Sequence, residues 1–259
     1  MKTIFALTLL FASAPLLAGT LFFVGDSTLD DHRQWCRTKA PFASWGRELE
    51  SSLKPGWTIV DNAFCGQSVL GSLKDEQKFG GTLWDKTIKA VAKGDFVVIQ
   101  FGHNDQKRQN PARYSPPDGF YREGLSRMVK EVREKGATPV LCSPIRRANF
   151  GKDGKLVDYR PKDGYSLGDY AAETVRLAKE LRVDCVDMFA LTCAHLEKLG
   201  KEESMKLYMV STGKAFSMDG EPSHDTTHPI KAGADAFGAL FRADAAARSL
   251  AVADIFASR

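Results

Sequence analysis

The chain has no apolar run long enough to cross a bilayer. Its longest, residues 4–17, falls short of the about 18–20 residues a span requires and is interrupted by Pro15. A dominant charge sign is also missing. With 36 basic against 32 acidic side chains and a formal net charge of +4, the balance is too even to argue for a nucleic-acid partner. Cysteines are few and odd in number: Cys36, Cys65, Cys142, Cys185 and Cys193 leave at least one thiol free or bridged between chains. No repeat, low-complexity tract or linker divides the sequence.

What is present is a globular composition, 43% hydrophobic and 26% charged with 22 Gly over 259 residues, which suits one α/β domain with a real core. Lys2, the apolar residues 4–17, and then Ala18 and Gly19 follow the order of a secretory signal. Residues 1–18 are therefore expected to be removed, leaving 19–259 as a single secreted or periplasmic domain, monomeric and without a membrane contact. No lipobox cysteine follows the apolar region. An exported protein permits disulfides. Cys36 with Cys65, each just past a predicted strand end, is the preferred pair, and Cys185 with Cys193 the alternative; Cys142 and Cys185 otherwise read as buried thiols.

Five short apolar runs, 20–24, 58–64, 96–101, 138–142 and 183–188, read as strands buried on both faces. Helical patterns fill the spacers at 42–53, 83–92, 120–134, 170–181, 191–208 and 230–252. Strand alternating with helix implies right-handed crossovers and a doubly wound parallel sandwich, with its ligand site outside the carboxyl ends of the strands. Ser27, Gly66 and Asn104 fall at such ends.

A serine hydroxyl attacks only when a base takes its proton, and the base needs a fixed tautomer. Ser27 ends an apolar run in a Gly25-Asp26-Ser27 turn. Asp225 and His228 are three residues apart, so the carboxylate can fold back on Nδ1 and leave Nε2 for Ser27. Pro229, favoured at the first position of a helix, places His228 at the mouth of the last one. The backbone N–H groups of Ser27 and Gly66 and the Asn104 side-chain amide are candidate donors to a developing oxyanion. Two rivals are weaker. Gly164-Tyr165-Ser166-Leu167-Gly168 matches a nucleophile elbow but follows Arg160-Pro161-Lys162-Asp163 rather than a strand. His224 and His228 have the spacing of a zinc pair, yet the residue before Pro229 is steered away from helix; no metal is expected. His32 reads as a surface residue and His195 as a helix residue.

Gly25-Asp26-Ser27, Gly66, Gly102-His103-Asn104-Asp105 and Asp225-Thr226-Thr227-His228 resemble, in order, the four signature blocks of the SGNH or GDSL hydrolases. Gly25-Asp26-Ser27-Thr28, 99–105, Pro144-Ile145-Arg146-Arg147 and Thr227-His228 before Gly233-Ala234 are similar to the rhamnogalacturonan acetylesterase branch. Pro229 stands where that branch often has an aromatic residue, and Gln67 where it often has Arg. The resemblance implies a flavodoxin-like three-layer sandwich with strand order 2-1-3-4-5, a Ser27, Asp225, His228 triad, an oxyanion hole of Ser27, Gly66 and Asn104, and no cofactor.

Lys107, Arg108, Arg113, Arg146 and Arg147 are expected to ring the strand ends, where they suit an acidic polysaccharide. Arg146, Arg147 and His103 are the candidate substrate contacts, with His103 alternatively holding its loop; residues 146–165 read as a long surface loop beside the site. The expected activity is removal of O-acetyl groups from pectin or rhamnogalacturonan. Acetylated xylan or another sugar acetate, a lipase or thioesterase role, and a noncatalytic carbohydrate-binding protein are the alternatives.

Overall fold

The computed structural model describes residues 18–30, 41–76, 80–213 and 224–257. The expected signal therefore lies almost wholly outside the described residues, as do Cys36 and His32. Five parallel strands, β1 (Gly19–Gly25), β2 (Trp57–Asp61), β3 (Phe96–Gln100), β4 (Thr138–Cys142) and β5 (Asp184–Val186), form one sheet in the order β2-β1-β3-β4-β5. This is the flavodoxin-like order the signature blocks implied.

Alternate residues of the strands feed two cores. Phe22, Val24, Val97, Ile99 and Leu141 face α1 (Val69–Lys74), α2 (Leu83–Ala90), α3 (Arg122–Glu134) and α4 (Leu167–Leu181). Leu21, Phe23, Val98, Val140 and Val186 face α5 (Met188–Met205), broken at Gly200, and α6 (Lys231–Ala247). The central strands are thus buried on both faces, as expected of a covered parallel sheet. β2 is not: as an edge strand it alternates, leaving Val60 37% exposed.

Two expected elements differ, and one helix is additional. In place of a helix over 42–53 there is only a 3-10 turn at Arg47–Ser52, because Phe42 is drawn into a bridge with Ile230 and the indole of Trp45 reaches inward to Gln100 Oε1 at 3.0 Å. The six-residue α1 was not expected; Ser68 caps it by accepting from the Gly71 N–H at 3.1 Å. The last helix starts at Lys231, since Pro229 bridges Tyr208 instead of opening it, so His228 precedes the helix and lies outside its first turn. Cys65 is disulfide-bonded, whereas Cys185 and Cys193 are free, which rules out their pairing with each other. No helix among the described residues is long and apolar enough to cross a membrane.

Candidate active site

β1 leaves the sheet at Gly25, where a Cβ would stand 2.5 Å from the Gln100 carbonyl oxygen, so only glycine lets the chain turn this close to β3. The next two residues face different ways. Asp26 is fully buried and its carboxylate accepts from the Thr28 N–H at 3.0 Å, the Thr28 hydroxyl at 2.9 Å and His103 Nδ1 at 3.2 Å. Burial pushes that carboxyl up, but the His103 and Thr28 contacts outweigh it and hold it below its ordinary range. Ser27 is thereby turned outward, and its Oγ lies 2.8 Å from His228 Nε2.

The strand-end loops meet around this pair. His228 Nδ1 donates to Asp225 Oδ2 at 2.7 Å, while Asp225 Oδ1 accepts from the backbone N–H groups of Thr227 and His228 at 2.9 and 3.0 Å. Burial raises the Asp225 carboxyl, yet these bonds leave it below its usual value, ionised and fixed. The segment is held from outside by Met209 N–H to the His228 carbonyl at 2.9 Å and Val210 N–H to the Asp225 carbonyl at 2.8 Å. His224 is exposed and does not join the group.

Asn62 N–H and Phe64 N–H bond to the Phe23 and Gly25 carbonyls at 2.8 and 3.1 Å, which continues β2 as a loop alongside the Ser27 turn. Gly66 follows at φ +80°, a left-handed conformation that other residues enter only with strain. Asn104 Nδ2 donates to the Gln67 carbonyl at 2.8 Å, tying the third loop to the second, and Lys107 Nζ donates to Asn104 Oδ1 at 2.8 Å. Among the described residues neither the Ser27 N–H nor the Gly66 N–H has a protein acceptor. Two residues of the signature blocks carry a positioning function that their sequence pattern did not reveal. Asp105 is buried and accepts from Val69 N–H at 2.9 Å and Gly102 N–H at 3.0 Å, joining α1 to the Asn104 loop. Asp26 links the Ser27 turn to His103. A carboxylate directly after a fully apolar strand was the available signal, since it must find donors where it is buried.

Two of the expected substrate contacts are corrected by burial. His103 is 2% exposed and faces Asp26, holding the loop instead of the rim. Arg146 is 4% exposed, with its guanidinium 3.1 Å from Asp158 Oδ1 and over the Phe189 ring. Arg147 is only half-buried and reaches the site edge, with Nε 3.1 Å from Thr227 Oγ1 and its terminal nitrogens on the Gln106 amide oxygen. Ser166 is the N-cap of α4, in a capping box with Asp169. Ser166→Ala is expected to destabilise the fold by about 1 kcal/mol and leave ester hydrolysis intact, which melting and rate measurements on one preparation will check.

His103 also predicts a pH dependence. Burial, opposed by Asp26 but assisted by Arg147 and His228, holds its imidazole below the ordinary value, so the folded protein keeps it neutral. The unfolded chain binds a proton there as pH falls through about 6.5, and stability present above that pH is lost below it, at up to about 1.4 kcal/mol per pH unit. Melting temperature followed from pH 7.5 to 5 is expected to fall less steeply in His103→Gln; parallel slopes would refute this.

An activated hydroxyl, an imidazole oriented by a carboxylate and adjoining N–H donors at the strand ends define a serine hydrolase of the esterase type. The particular family follows from comparison. The GDSL-like Lipase/Acylhydrolase family matches residues 23–236, and the chain belongs to it. It is 30% identical over 215 residues to the rhamnogalacturonan acetylesterase RhgT of Bacillus subtilis strain 168, covering 83% of this chain and 84% of RhgT. The crystal structure of the Bacillus subtilis protein YxiM matches with a TM-score of 0.69 at 24% identity, over 90% of this chain but 57% of that one, so the chain spans little more than half of it. The acetylxylan esterase Axe2 of Geobacillus stearothermophilus matches with a TM-score of 0.56 at 19% identity, over 88% of this chain and 96% of that one. These last two likenesses show the fold.

Proposed function

We propose that the protein is a secreted carbohydrate esterase that removes O-acetyl groups from pectin, with acetylated rhamnogalacturonan as its substrate. The observation that carries the ester chemistry is the unbroken relay from Ser27 Oγ to His228 Nε2 at 2.8 Å and from His228 Nδ1 to Asp225 at 2.7 Å. Ser27 attacks the acetyl carbonyl as His228 takes its proton. The oxyanion is received by the Ser27 and Gly66 N–H groups and the second N–H of Asn104 Nδ2, its first being held by Gln67. Lys107 on Asn104 Oδ1 polarises that amide and strengthens it as a donor. His228 then gives that proton to the sugar oxygen as its bond to the acetyl carbon breaks, and the sugar leaves with a free hydroxyl. Water, deprotonated by the same imidazole, attacks the acetyl-enzyme and releases acetate, restoring Ser27.

RhgT, a relative at 30% identity, is by name a rhamnogalacturonan acetylesterase, which supports the choice of polymer. The test compares acetate release from acetylated rhamnogalacturonan oligosaccharides, acetylated xylan and a small chromogenic acetate. The pectic substrate is expected to give the highest kcat/KM. A preference for xylan would replace the substrate, and absence of acetate from all three would end the esterase reading.

A further inference from the structure

Five cations follow the third and fourth strands in sequence, but the structure divides them. Arg146 is neutralised by Asp158, and Arg108 bonds outward to the Asp163 carbonyl. Lys107, Arg113 and Arg147 remain, and among the described residues none of them has an ion-pair partner. Each lies against a different loop of the site. Lys107 holds Asn104, Arg147 holds Thr227 next to His228, and the Arg113 guanidinium covers the bare Cα of Gly66, where a Cβ would stand 2.8 Å from its Nη2.

Arg113 is the least satisfied of the three. It comes to this place because Arg113 N–H bonds to the Asn110 carbonyl at 3.0 Å and Ser115 N–H to the Asp105 carbonyl at 3.1 Å, folding the loop back on the buried aspartate. Its side chain is half-buried, yet among the described residues no carboxylate, carbonyl or amide oxygen accepts from the guanidinium. Like charges gathered here oppose one another: burial together with Arg113 and Arg147 lowers the Lys107 ammonium from its ordinary value, against the smaller opposite pull of Asp26. An anion held between these groups would relieve both the repulsion and the unmade hydrogen bonds. A planar carboxylate fits a guanidinium fork best.

The acetyl ester itself is neutral, so this charge must meet another part of the substrate or the oxyanion of the intermediate. We propose that Arg113, supported by Lys107 and Arg147, is a specificity determinant that binds the carboxylate of a uronic acid unit adjoining the acetylated position. This rests on the carbohydrate-esterase reading and deepens it. An arginine serving the oxyanion would act on every acetate ester alike; one reading a uronate acts only where the carboxylate is present and charged.

The experiment is a cycle of enzyme and substrate variants. Wild type, Arg113→Gln and Arg113→Lys are assayed on acetylated pectic oligosaccharides with free carboxylates, on the same oligosaccharides methyl-esterified, and on a chromogenic acetate. In wild type, methyl esterification is expected to lower kcat/KM by about 10- to 100-fold, the range of a charged hydrogen bond, chiefly through KM. Arg113→Gln should lose the same factor on the free acid, respond little to esterification, and lose its salt dependence; Arg113→Lys should recover part of it. Equal losses on all three substrates, or a wild type indifferent to esterification, would overturn the inference while leaving the esterase in place. Absence of acetate from any substrate would overturn both.

Discussion

With Ser27→Ala, acetate release is expected to fall by about 10⁶-fold, the loss found when the nucleophile of a serine hydrolase is removed, while the protein stays folded. The side chain is 6% exposed and, among the described residues, its hydrogen bond is to His228 Nε2 at 2.8 Å. Nothing in either core depends on it. The turn is shaped instead by Asp26, which keeps its three donors in the variant. The residual rate would come from bound substrate facing the oxyanion donors without a nucleophile. Steady-state kinetics beside a thermal melt, with mass spectrometry for a trapped acetyl-enzyme in the wild type, make the check. A Ser27→Ala enzyme within tenfold of wild type would show that the reaction runs elsewhere.

Asp225→Asn is expected to cost about 10⁴-fold in kcat, for a reason visible in the hydrogen bonds. Asp225 Oδ1 already accepts two backbone N–H groups, at 2.9 and 3.0 Å, so an asparagine keeps its oxygen there and turns its NH₂ toward His228 Nδ1. That nitrogen must then be an acceptor, the proton moves to Nε2, and the imidazole facing Ser27 can no longer take a proton. Since the backbone bonds survive, the loop should keep its place and KM should change little. The sign of the acid limb also follows. The Asp225 carboxyl lies below its ordinary value in the fold, so its contribution to stability is present above about pH 3.9 and is lost as pH falls through the lowered folded value. A variant retaining more than a tenth of wild-type kcat would remove the orienting role from Asp225.

The parts of this molecule that were legible in its sequence are those set by local chemistry. Valine, isoleucine and phenylalanine in unbroken runs mark the central strands, because a strand covered on both faces has no polar side to show. β2 is less regular because an edge strand has a single strand neighbour, and its pattern alternates accordingly. The helix expected over 42–53 failed because Trp45 and Phe42 serve tertiary contacts that a helical repeat does not encode. α1 was missed because six residues around Gly71 carry too few turns for a period to be seen. The same limit applies to charge. Arg146 and Arg147 are neighbours of identical chemistry, yet one is closed by Asp158, twelve residues on, and the other reaches Thr227, eighty residues on.

By itself the sequence determined which groups were available: a hydroxyl after an apolar strand, an imidazole three residues from a carboxylate, glycine where the backbone must pass close, and cations after two strands. Which of these meet was decided by the tertiary structure alone. Strand order brings Ser27 beside a histidine 201 residues away, and burial turns Asp26, His103 and Arg146 inward while leaving the Arg113 guanidinium without an acceptor among the described residues. The physical reason is that hydrogen bonds and charges are satisfied through space. A polar side chain takes its role from whichever partners the packed core places within about 3 Å of it.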